Sequence, residues 1–252
     1  MKVLSVFLAL IWIVGCVSKD RDLKETLHNN PRIVFDLIEE NPEMFLTVVN
    51  KAARQVRQKQ YEKQMAQMQQ EQSDDLKNPK QPKLSANRLL LGKMNSPITL
   101  VEYGDFQCPA CRLAYENLKT FKAKYKGKIR YMFKNMPLDM HPMSHPAARY
   151  FEALRRQSSK LALKFHNTVF EHQQSLRDKE YLPKLAKSLG ANMKKLKADL
   201  NSDPVKTVIN GDIEEFESYG FTGTPVIILN GVAMRGAQSE DQLERILKLT
   251  KK

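Results

Sequence analysis

The 252-residue sequence predicts an α/β protein, and three observations carry that prediction. An apolar run, Ile98 to Tyr103, leads through a short turn into a helix that opens at Cys108. A second apolar run, Val226 to Leu229, stands far down the chain and is followed by the turn pair Asn230-Gly231. Between them, residues 146–219 place apolar side chains at three- and four-residue steps, the period of helices that bury one face. The expected organisation is a leader at 1–15, a helical arm at 16–72, a linker at 73–84 and an α/β domain at 85–252, with a helical insertion at about 144–219.

Met1-Lys2 is a short charged start, and Val3 to Val14 is an apolar run of 12 residues. That length falls short of a membrane span and suits the hydrophobic core of a signal peptide. The run ends Ile13-Val14-Gly15-Cys16, which resembles the lipobox of bacterial lipoproteins, where cleavage precedes the cysteine that carries the lipid. A small residue directly before Cys16 favours this over an ordinary leader with an incidental cysteine. Val17 stands where an aspartate would signal inner-membrane retention, so the expectation is the outer membrane.

Asn30-Pro31 and Asn41-Pro42 read as helix openings, with proline just inside each start. They frame the apolar clusters Ile33, Val34, Leu37, Ile38 and Met44, Phe45, Val48, Val49. From Lys51 to Gln72 the helical pattern continues with a thin stripe of Ala52, Val56 and Met65 or Met68. So small an element builds no core alone and must pack on something, either its own α/β domain or the same segment of another copy. Gln72 to Lys83, with Ser73, Asp74, Asp75, Pro79 and Pro82, is read as a linker too polar to repay its ordering entropy.

Within the domain, Ala114, Leu118, Phe121 and Tyr125 mark the buried face of the helix after the cysteines, and Gly127 ends it. Ile129, Tyr131 and Phe133 alternate as a half-buried strand does. Seven Lys or Arg and no acid lie from Lys119 to Lys134, interleaved with aromatics. The aromatics fall on the inward phase, so the charges are read as solvated rather than as a nucleic-acid surface. Val232 to Arg235 pairs back on Val226 to Leu229 through a two-residue hairpin. Ser239 caps a last helix, with Gln242 completing a capping box.

The chemistry sits at Cys108-Pro109-Ala110-Cys111. Pro109 lies where a missing N–H costs nothing, and the orphan amides and positive dipole end of the helix point at the Cys108 sulfur, favouring thiolate. A thiolate is the attacking form in disulfide exchange, and Cys111 is close enough to close a disulfide that stores two electrons. As a mere staple the bridge would remove little chain entropy. As a zinc site with His141 and His145, the 29-residue spacer is about twice the usual one, and Pro142 and Pro146 disfavour one helix face. No metal and no cofactor is expected. Glu102, six residues before Cys108 on the incoming strand, is placed to move a proton at Cys111, and Thr224-Pro225 is a candidate cis bond.

These motifs together resemble the DsbA-like thioredoxin-fold thiol oxidoreductases, in which Cys-Pro-x-Cys faces a cis-proline loop; the resemblance runs from Leu84 to Leu249. It implies a thioredoxin fold with the helical block walling one side of a client groove. It implies Cys108 as an exposed nucleophile, Cys111 as the resolving thiol, and Thr224 and Pro225 as the backbone against which an extended client pairs. It further implies reduced or misoxidised envelope proteins as clients, a membrane redox partner that resets the cysteines, and an arm that makes dimers or trimers. Strong oxidants of the family carry Pro-His between the cysteines. Pro-Ala here implies a Cys108 pKa depressed within about 3.5–7.5 but above its floor, which leaves room for isomerase or reductase work. The alternative is an envelope lipoprotein that uses such a domain only for binding. The formal net charge of +13 implies salt-dependent attraction to anionic lipid and acidic clients, and a leader removes the chain from nucleic acid.

Overall fold

The computed structural model describes residues 23–251. The leader run and Cys16 lie outside the described residues. The chain divides into two compact units, residues 1–65 and 66–252, with the division inside one long helix. In the first unit, residues 23–29 are helical, α1 spans Arg32–Glu40 and α2 begins at Pro42 and runs to Lys77. The prolines act at the helix starts as the sequence predicts. α1 buries none of its residues; Phe35 is 61% exposed and Leu37 55%, so its apolar face has no cover from the described residues of its own unit. Among the described residues no helix is long and apolar enough to cross a membrane.

The second unit corrects the linker. α2 stays helical to Lys77, and Gln72 and Asp75 are buried. Asp75 Oδ2 accepts from the Ala233 amide at 2.9 Å, and Oδ1 pairs with Lys80 at 2.9 Å. Arg245 donates to Gln72 at 2.9 Å, Arg235 to Glu71 at 3.0 Å, the Lys80 amide to Gly231 O at 2.9 Å, and the Lys83 amide to Glu215 at 2.6 Å. Polarity suggested a tether, but these side chains answer backbone groups and charges of the domain. Hydrogen bonds supply the ordering that apolar burial does not.

The domain proper follows the order β1 (Ile98–Gly104), α3 (Pro109–Lys124), β2 (Ile129–Asn135), α4 (Ser144–Arg155), α5 (Ser159–Glu171), α6 (Tyr181–Ser188), α7 (Met193–Asp199), α8 (Asp203–Ser218), β3 (Val226–Leu229), β4 (Val232–Arg235) and α9 (Glu240–Thr250). The sheet order is β2-β1-β3-β4; β1 runs parallel to β2 and antiparallel to β3, and β3 and β4 form the hairpin. α3 is the crossover between the parallel pair, the connection such a pair requires. Asn230 and Gly231 both take positive φ, 48° and 90°, as a two-residue hairpin turn demands.

β1 shows how the sheet sorts its side chains. Leu100 faces a core with Leu118, Phe133, Phe165 and Leu247, while Val101 and Tyr103 face a second core with Met132, Phe216 and Ile228. Successive strand residues point to opposite faces, so a strand covered on both sides reads as continuously apolar. Gly92 holds the lead-in against β2: at φ 77°, a Cβ there would lie 2.0 Å from the Ile129 carbonyl oxygen. At the far end, Ser239 and Gln242 form the capping box of α9.

The charges from Lys119 to Lys134 divide differently from the expectation. Lys122 and Lys134 are buried. Lys134 pairs with Glu215, which also accepts from Tyr103 Oη at 2.5 Å. Lys122 lies over the Tyr131 ring, 4.0 Å from its centroid. Both stems follow apolar surface, and both heads find a π face or a carboxylate in place of water.

Candidate active site

β1 delivers the site through Asp105, Phe106 and Gln107, and α3 begins at Pro109 with Cys108 as its N-cap. Asp105 organises that turn. Its Oδ1 accepts from the Gln107 amide at 2.7 Å, and its Oδ2 accepts from the Leu138 amide at 3.1 Å and faces His141 Nδ1 at 2.7 Å. Gln173, in a 3₁₀ turn between α5 and α6, donates to the carbonyls of Phe106 and Cys108 at 2.9 Å each. The helical insertion thus holds the cysteine loop from one side. Neither Asp105 nor Gln173 carries a sequence signal that separates it from ordinary polar residues.

From the other side comes Thr224-Pro225, whose peptide bond is cis. The Thr224 carbonyl lies 3.7 Å from Cys108 Sγ. Among the described residues the buried Thr224 hydroxyl has no hydrogen-bond partner, and its proximity lowers both thiols. Residues 116 apart in sequence are therefore brought onto one sulfur.

Both cysteines are free thiols, and they are unequal. Cys108 is lowered to about 5, first by the hydrogen bond from Cys111, against the cost of burial, and then by Thr224 and the Cys111 and Ala110 amides. Cys111 moves the other way, well above a normal thiol, because it is buried and because Cys108 holds its proton and its charge nearby. The Asp105 amide donates to Cys111 Sγ at 3.4 Å. Cys108 is less open than the sequence suggests: 7% of its surface is accessible, against 0% for Cys111. The accessible sulfur is still the acidic one.

Glu102 is fully buried on β1, opposite Phe133 and Ile227. Its Oε2 accepts from Tyr131 Oη at 2.6 Å, and its Oε1 has no hydrogen-bond partner among the described residues. Burial raises its pKa, against the pull of Lys122 and Tyr131. Lys122 is lowered to about 8 by burial, with Glu102 opposing. Tyr131 Oη also meets His166 Nε2 at 3.2 Å, and burial together with Lys122 lowers His166 to about 3, so that ring is neutral. The sequence pointed to Glu102 but not to this cluster. Lys122 had a usable signal, since it stands four residues after Leu118 and eleven after Cys111, on the inward face of α3.

Chemically, the arrangement offers one thiolate at neutral pH, one thiol that keeps its proton, and a buried carboxyl whose proton is retained above the ordinary range. Among the described residues no cluster of three His, Cys, Asp or Glu is set to hold a metal.

Residues 84–249 match the family model described as Thioredoxin. Na(+)/H(+) antiporter NhaA 1 of Mycolicibacterium vanbaalenii is 28% identical over 159 residues, covering 62% of this chain and 25% of that protein. The chain thus spans about a quarter of the length of the antiporters it matches. Probable disulfide bond formation protein D of Bacillus cereus is 29% identical over 156 residues, covering 56% of this chain and 69% of that protein. Among solved structures, oxidised BdbD from Bacillus subtilis superposes with a TM-score of 0.60 at 25% identity, covering 69% of this chain and 98% of that one.

Proposed function

Because the chain belongs to the thioredoxin family, we propose that it is an extracytoplasmic thiol-disulfide oxidoreductase acting through Cys108 and Cys111. The opposite displacement of the two thiols carries this reading: Cys108 falls to about 5 while Cys111 rises. A structural pair needs no such asymmetry, whereas exchange needs one sulfur that attacks or leaves easily and one that stays protonated.

In the oxidising direction a client thiolate attacks Cys108 Sγ of the closed pair, and the Cys108–Cys111 bond breaks. Cys111 leaves and takes up a proton, for which Glu102 is the donor. A second client thiolate then attacks the client sulfur of the mixed disulfide and expels Cys108 as thiolate. The client loses two electrons, the pair gains them, and a membrane redox partner removes them. In isomerisation the Cys108 thiolate attacks a wrong client disulfide and is expelled when the client re-pairs, with no net electron transfer. The backbone of Thr224 and Pro225 is where an extended client segment pairs beside Cys108.

The setting rests on the sequence. Val3 to Val14 and Gly15-Cys16 support export and lipidation, Val17 supports the outer membrane, and the uncovered face of α1 supports self-association. Clients are then envelope proteins with free or mispaired cysteines. The test is refolding of a reduced, scrambled disulfide protein by the purified chain. Cys108→Ser is expected to abolish both oxidation and reshuffling, and Cys111→Ala to trap the mixed disulfide. A Cys108→Ser protein as fast as its parent rules the function out and leaves a binding module.

A further inference from the structure

Alongside α3, between that helix, α5 and Leu91, which pairs with Tyr131 of β2 in an isolated antiparallel bridge, lies a cavity of about 230 Å³. Leu91, Leu163 and Tyr115 give its lining an apolar part, and Lys119, Lys122 and Lys126 line it as well. These cations are not equivalent. Lys119 is bound to Glu171 at 2.9 Å, and Glu171 also takes the Tyr115 hydroxyl at 2.8 Å. Lys126 has no ion-pair partner among the described residues. Lys122 is 8% exposed, and among the described residues no carboxylate lies within ion-pairing distance of it and no oxygen accepts from it. The neighbouring acid, Glu102, spends one oxygen on Tyr131.

The Lys122 ammonium lies 4.0 Å from the Tyr131 ring centroid, a face that attracts the cation without neutralising it, and an anion beside it offsets more of the cost of its burial. The volume decides the class of anion. Pockets for drug-sized molecules run from about 300 to 1,000 Å³, so a cavity of this size suits one ring or one branched chain. We propose that the cavity is a binding site for a small apolar monocarboxylate. The carboxylate sits on Lys122 and Lys126, and the body packs against Leu91, Leu163 and Tyr115. Such an anion competes with Glu102 for the Lys122 charge, so occupancy reaches the proton behind Cys111. The site itself stands apart from the redox reading and survives its failure.

The test uses the full mature chain and two-dimensional amide NMR, with benzoate as the probe, benzamide as its uncharged isostere and acetyl-Gly-Phe as a chain-terminal carboxylate. Benzoate is expected to shift the Leu91 and Leu163 amides saturably and to bind at least about tenfold more tightly than benzamide. Lys126→Gln, a change at the exposed mouth that leaves the fold intact, is expected to weaken benzoate severalfold and leave benzamide unchanged. Lys122→Met is expected to erase the preference for the charged probe. Acetyl-Gly-Phe matching benzoate assigns the natural ligand to a protein C-terminus; benzoate alone binding assigns a free acid. Equal binding of benzoate and benzamide, or shifts that never saturate, overturns the proposal.

Discussion

A sulfur lowered to about 5 is a thiolate across the neutral range, and its attack rate then stops depending on pH. Iodoacetamide alkylation of the reduced protein at Cys108 is expected to climb through pH 5 and level off, while Cys111 resists to high pH. A profile that climbs only near the free-cysteine range removes the basis of the mechanism. Thr224→Val takes away one of the groups that lower Cys108, so the same midpoint is expected to move up. The stability linkage has a definite sign. The folded pKa lies below the unfolded value, so the contribution is fully present above the unfolded thiol pKa and is lost as pH falls through about 5. Oxidised protein has no such group, so the urea midpoint of the reduced form is expected to gain on that of the oxidised form from pH 5 toward 9. In the exchange we propose, Glu102 sets the rate at which Cys111 leaves. Glu102→Gln keeps an acceptor for Tyr131 but has no proton to give, and formation of the mixed disulfide, the step at which Cys111 leaves, is expected to slow about a hundredfold. Its carboxyl inflection, which burial places above the ordinary range, disappears with it. Stopped-flow turnover across pH checks both; an unchanged rate would hand the proton to solvent.

Elements position these groups through contacts that the sequence reveals unevenly. The end of α2 is held by one buried carboxylate, with the Ala233 amide of β4 and Lys80 as partners. Asp75→Ala leaves that amide without an acceptor and is expected to cost about 1–3 kcal/mol in urea unfolding with the site chemistry intact. The periodic elements were readable, because Ala114, Leu118 and Phe121 or Val226 to Leu229 can bury only one way. The capping box at Ser239 and the hairpin at Asn230-Gly231 were readable for a related reason: few residues satisfy those backbone demands. What composition hides is a polar residue with a distant partner. Asp75, Gln173 and Lys134 look like solvent-facing residues until Ala233, Cys108 and Glu215 arrive from elsewhere in the chain. The same blindness applied to Lys122, where helical phase argued for the core and charge argued against it. Phase was the better guide, because Tyr131 supplies a π face that accepts the cation.

At the scale of the whole molecule, direction of electron flow depends on what meets Cys108, and we propose that self-association through the arm decides that. An oxidase works best when a resetting partner reaches it freely; an isomerase must keep its reduced thiolate from that partner. α1 leaves Ile33, Val34, Phe35 and Leu37 exposed in a single chain, and a second copy of the same segment is the cover we propose. The helix to Lys77 is part of the catalytic unit from Ala66 onward, so a truncation that tests the arm must begin at Ala66 and not beyond Gln72. The full mature chain is expected to scatter light as a dimer or trimer, and the chain from Ala66 as a monomer. Phe35→Glu with Leu37→Glu is expected to act like the truncation, because the paired charges are then buried in any association of that face. If the arm shields the site, the monomeric forms keep exchange activity but are oxidised faster in cells and lose reshuffling more than oxidation. A monomeric full chain, or an Ala66 form that isomerises as well as its parent, separates the arm from the redox chemistry.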